Sequence, residues 1–113
     1  MVTDYAAESA AANAVGTNLM SGHTHQISNR ARVLNRVALV GSAAADDAAV
    51  EVKIGNEVIT RLGNTRTGTA LLDEVDWKGV DYVIEASEPF NAIIVDAGAT
   101  NVLRFHFDFD YLE

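Results

Sequence analysis

His23-Thr24-His25 sets two imidazoles two residues apart, a spacing that lets both rings of an extended segment face one metal ion. A third ligand is required, and no neighbour in sequence supplies one. A polar loop or an intersubunit contact is therefore the better reading. His106, Asp108 and Asp110 alternate along one stretch, with a repeat of about 6.7 Å if that stretch is a strand. A solvated sheet face accounts for them without an ion. Asp73 to Gly79 carries acids and a glycine but lacks the ligand order of an EF-hand loop, so it reads as a solvated turn. Gly63-Asn64-Thr65-Arg66-Thr67-Gly68 begins as a phosphate loop does, yet Thr69 stands where the lysine must be. The segment also joins two strands rather than a strand and a helix. Arg66 at its tip is left as a candidate contact with a partner.

Nucleophilic catalysis finds no support. There is no cysteine, and Ser9, Ser21, Ser28, Ser42 and Ser87 all lack the G-x-S-x-G context. These residues point to a chain that is not an enzyme and uses no cofactor or metal. Trp77 is the single tryptophan, in a turn beside Lys78 and Gly79. An exposed indole there can stack on a sugar ring, or it can plug the end of a core. With Arg66 and Tyr82 it marks a possible ligand site.

The 113 residues, 49% of them hydrophobic, are enough for one domain with a core of its own. Without cysteine, disulfides are excluded. A net charge of −8 argues against nucleic-acid binding, which needs a basic surface. No apolar run reaches the length of a membrane span. The stretch from Met1 to Tyr5 lacks the basic and apolar regions of a signal peptide. The charge is also divided. Residues 1–45 carry a net +1, with no acid between Glu8 and Asp46, whereas residues 46–113 carry a net −9. This division predicts two environments: an acidic body facing solvent and a first segment facing something else, such as another subunit.

Residues 1–29 read as an arm. The alanine-rich run from Tyr5 to Val15 favours a marginal helix, and residues 16–29 are rich in turn formers without a sustained period. From residue 30 the chain reads as a β domain. Candidate strands at 33–41, 49–54, 58–62, 69–75, 80–86, 91–96 and 102–112 are bounded by Gly, Asn, Asp and Pro. Their spacing predicts an all-β fold, a small antiparallel β-sandwich of jelly-roll type, with an extended or partly helical N-terminal arm. Around Gly55-Asn56-Glu57 a three-residue loop would pair Ile54 with Val58, Val52 with Thr60, Val50 with Leu62 and Glu51 with Arg61. In the last strand Leu103, Phe105, Phe107, Phe109 and Tyr111 alternate with charged residues. This predicts one face in the core and the other in water.

A low-acid arm, a compact acidic β domain and a strongly alternating final strand together resemble the plan of the small jelly-roll capsid, vertex and decoration proteins of bacterial and archaeal viruses. The resemblance implies a structural subunit of a virion, a homo-oligomer of three or five copies bound to itself or to a major capsid protein. Its arm would clamp a neighbour through Tyr5, Leu19, Met20, His23 and His25. Arg30, Arg32 and Arg36 would sit at the junction, paired with acids on the next protein. The alternative is a carbohydrate- or receptor-binding sandwich using Trp77 and Tyr82. A subunit of a cytoplasmic complex, or of an extracellular particle, asks for the same body and arm.

Overall fold

A computed structural model gives the fold and describes residues 2–8, 15–41, 48–65, 74–96 and 103–112. It is all-β, with two antiparallel sheets packed face to face. The strands are β1 (Val2–Glu8), β2 (Arg32–Gly41), β3 (Ala49–Ile54), β4 (Glu57–Gly63), β5 (Lys78–Ile84), β6 (Phe90–Asp96) and β7 (Leu103–Tyr111). One sheet runs β1-β7-β2-β5 and the other β4-β3-β6. Beyond β6, the segment from Gly16 to Leu19 continues the second sheet in rudimentary form. Asn18 bridges to Ile93, Gly16 N donates to Ile94 O, Ile94 N to Thr17 O, and Leu19 N to Ala92 O.

The alternation of β7 sets the core. Leu103, Phe105, Phe107 and Phe109 are fully buried and face Phe90, Ala92 and Ile94 of β6 and Val50, Val52 and Ile54 of β3. Phe90 meets Phe107 edge to face, with ring centroids 5.2 Å apart. Each such side chain contributes roughly 1.5–3 kcal/mol by leaving water.

Four expectations change. Tyr5 to Glu8, in the alanine-rich run expected to favour helix, are strand, because seven residues of β1 find ladder partners on β7, from Val2 opposite Phe109 to Glu8 opposite Leu103. Tertiary pairing here overrides alanine's local preference. Residues 9–14 lie outside the described residues. The β3–β4 hairpin pairs Val50 with Leu62, Glu51 with Arg61 and Val52 with Thr60, as expected, but then shifts to Lys53–Val58 and Ile54–Glu57. The loop is thus Gly55-Asn56, with Gly55 at φ 61° as the first position of a type II′ turn asks. A bulge in β4 absorbs the difference, so that Val50 still faces Leu62 and Val52 still faces Thr60 beyond it. The third change concerns the outer face of β7, which is partly covered: Asp108 is fully buried, and Ala38 and Val40, whose β7 partners are His106 and Arg104, are buried too. The run expected as a strand at 69–75 lies outside the described residues up to residue 73; Glu74–Asp76 is a 3₁₀ turn.

Asn64 joins the sheets at one end. Its buried amide donates to Gly41 O at 2.8 Å and accepts from Ala48 N at 3.0 Å. This fixes the end of β4, and so the residues that follow it, against β2.

Candidate functional site

Two constellations combine residues from separate elements. The first is a groove of about 300 Å³ lined by Arg61, Leu62, Gly63, Thr65, Val75, Asp76, Trp77 and Lys78. β4 supplies one wall, and the 3₁₀ turn with the start of β5 supplies the other. Trp77 is held from behind. The Arg36 guanidinium lies 4.3 Å from the indole centroid, and His106 meets the ring edge-on at 6.3 Å. Arg36 is itself fixed, since its Nε donates to Oδ2 of the buried Asp108 at 2.5 Å. Lys78 Nζ donates to Arg61 O at 3.2 Å, which ties the two walls together. Arg61 stands opposite Glu51 in register, but among the described residues no carboxylate lies within ion-pair distance of its guanidinium.

The second constellation lies where β1 meets the 15–31 segment. Asp4 points to the core side of the sheet, and its Oδ2 lies 3.8 Å from His23 Nε2 and 3.5 Å from His25 Nε2. Asp4 is the third side chain that the sequence spacing did not supply. The hydrogen bonds nonetheless use up the His23 ring. Its Nδ1 accepts from His25 N at 3.0 Å, so the neutral ring carries its proton on Nε2, which donates to Tyr5 O at 3.0 Å. Among the described residues no group of three or more His, Cys, Asp or Glu is arranged to hold a metal ion.

The remaining candidates are spread over the fold. Leu19 and Met20 are in the core. Tyr5 lies on the outer face, 5.5 Å from the His106 ring and under the Arg104 guanidinium. Arg30 covers the Tyr111 ring at 4.1 Å. Arg32 is fully buried, with its guanidinium 4.9 Å from the centroid of Phe109, and burial pushes its pKa below the ordinary value. The arginine group expected at a subunit junction is therefore divided. Arg32 and Arg36 are committed to Phe109 and Asp108 of their own chain. Tyr82 bonds through its hydroxyl to Glu57 and does not line the groove. Arg66 is outside the described residues.

His25 and His106 carry a pH dependence. Burial pushes His25 below its ordinary pKa of 6.5, with Asp4 opposing and His23 and Arg32 adding to the shift. Burial, and then Arg104, push His106 down likewise. The folded chain takes up these protons less readily than the unfolded one. Their contribution to stability is thus complete above about pH 6.5 and is lost as pH falls from there through the folded-state values. Urea unfolding should show a lower midpoint at about pH 5.5 than at about pH 7.5. Replacing His106 with glutamine should shrink that difference.

Sequence reasoning missed Arg61 and Asp4. Arg61 belongs to the groove only because the β4 hairpin lies beside the turn that carries Trp77, and Asp4 meets the histidines only through the β1–β7 ladder. Comparison with known proteins finds no matching family model and no matching curated protein.

Proposed function

We propose that the chain is a non-enzymatic assembly subunit with a jelly-roll body, of the kind that builds the capsid, vertex or decoration layer of a virion. The observation that carries this reading is the nesting of strand pairs. β1 pairs with β7, the Gly16–Leu19 segment with β6, β2 with β5, and β3 with β4. First with last, second with second-last, and so on inward is the pairing of a jelly roll. Jelly rolls serve as viral capsid domains and as lectins. The step from fold to particle rests on that shared plan.

Symmetric neighbours need a surface. Ile27, Tyr111 and Leu112 are 58%, 37% and 48% exposed. Leu112 N donates to Ala31 O, which brings the chain's end beside the segment carrying Ile27. An arm role remains open to β1, because its ladder to β7 can be made within one chain or, by exchange, on a neighbour. Light scattering after size exclusion tests the reading. A discrete trimer or pentamer is expected, reduced to monomer by Leu112→Asp. A monomer at every concentration would overturn self-assembly.

A second reading, a carbohydrate-binding sandwich, is favoured by one observation: Trp77 lines a groove together with Arg61 and Lys78.

A further inference from the structure

We propose that the Trp77 groove binds an acidic saccharide, a sugar ring bearing a carboxylate. The inference rests on the carbohydrate-binding reading and names the class of sugar. It follows from three features of the groove, each of which selects for one part of such a ligand.

The first is the platform. Sugar rings present an apolar C–H face, and an indole is a good partner for it. Trp77 is clamped by Arg36 and His106, and Arg36 is anchored in turn on Asp108. An aromatic side chain already held in place loses little entropy when a ligand arrives. Leu62 and the exposed Val75 extend the apolar wall.

The second is charge. In a chain of net −8, this groove carries two cations, Arg61 and Lys78, against one acid, Asp76. Asp76 is buried and engaged within the fold. Among the described residues Arg61 has no carboxylate partner within ion-pair distance. Lys78 Nζ donates to a backbone carbonyl, and an ammonium has two further protons to offer. A planar fork beside a point charge suits a carboxylate, which takes two parallel bonds from the arginine.

The third is size and polarity. About 300 Å³ lies at the small end of ligand sites, which suits one or two sugar rings better than a folded partner. Thr65 adds a hydroxyl that donates or accepts at the rim. Inorganic phosphate would satisfy the cations but leave the indole unused, and a neutral hexose would do the reverse. A uronate uses both.

Trp77 is the single tryptophan, so its fluorescence reads the site directly. The full chain is titrated with glucuronate, with glucose and with a short oligogalacturonate, at ionic strength held constant with sodium chloride. Amide chemical shifts at Leu62, Gly63 and Thr65 serve as a second readout. Saturable binding of glucuronate or of the oligomer, with no response to glucose over the same range, is the expected result. Saturation by the oligomer alone assigns the site to a polysaccharide chain; saturation by both assigns it to the free sugar as well. Arg61→Gln and Lys78→Gln, checked for unchanged melting, should each weaken binding about tenfold, as loss of a charge-assisted hydrogen bond does. Equal response to glucose would overturn the acidic specificity and leave the carbohydrate reading standing. Silence in both readouts with every sugar would overturn both. An identical titration by sodium phosphate would reduce the groove to an anion site and overturn the proposal.

Discussion

Replacing Arg36 with methionine should destabilise the chain by about 3–5 kcal/mol, the cost of leaving a buried charge without its partner. Asp108 is completely buried, its Oδ2 accepts from Arg36 Nε, and its Oδ1 has no hydrogen-bond partner among the described residues. Without the guanidinium, a carboxylate is held in a nearly dry site between β2 and β7. A domain of this size has only about 5–15 kcal/mol in total, so urea unfolding should show the loss plainly. The double variant Arg36→Met with Asp108→Leu should recover most of it, because an apolar pair needs no compensation. Arg36→Lys should recover less, since an ammonium does not stack on Trp77 as a planar guanidinium does. A loss below about 1 kcal/mol in the single variant, the range of an exposed pair, would mean that solvent reaches Asp108.

Deleting residues 1–28 should abolish cooperative folding. A free arm could be removed without harm, but this segment supplies Leu19 and Met20 to the core. Truncating a buried Leu or Met typically costs 2–5 kcal/mol each, and the deletion also strips β1 from the edge of β7. Asn18 goes as well; its side chain accepts from Met20 N and Ala92 N and donates to Asn91, clasping the segment to β6. Circular dichroism on heating should show a broad, featureless change in place of a transition. Deleting only residues 1–8 separates the two contributions. That chain keeps Leu19 and Met20 and should still melt cooperatively, at lower temperature and with a tendency to associate through the uncovered edge of β7.

Much of the body was legible in the sequence because two segments carry unambiguous period-two patterns. Val50 to Leu62 gave the hairpin and, through Glu51 and Arg61, its register near the far end. The aromatic alternation of residues 103–111 gave the core face. What escaped has physical causes. Asp108 sits in that same alternation, and nothing local distinguishes a wet aspartate from one buried under an arginine of another strand. In β1, alanine and glutamate conceal a strand whose stability comes from its partner a hundred residues away. Leu19 and Met20 form too short an apolar pair to show a period. For the candidate site, Trp77 and Lys78 were visible as neighbours, but Arg61 joins them only after β4 and β5 are brought side by side by the sandwich.

The nested pairing of strands also sets the order in which the chain can fold. Among the strand pairs of the described residues, β3 with β4 alone joins strands consecutive in sequence, through Gly55-Asn56. Every other pair closes a longer loop, and the outermost, β1 with β7, closes the longest. Loop-closure entropy must be met before such contacts repay it, so the hairpin is the natural starting point and pairing proceeds outward from it. Topologies of this kind fold on the order of milliseconds to seconds. Through most of that time the edge of β7 and its row of phenylalanines lack β1 beside them. On a ribosome the delay is longer still, because β1 is made well before β7, its partner across the whole set of strands. The surface that finally seals the sheet is therefore also the one a nascent chain must keep from other chains.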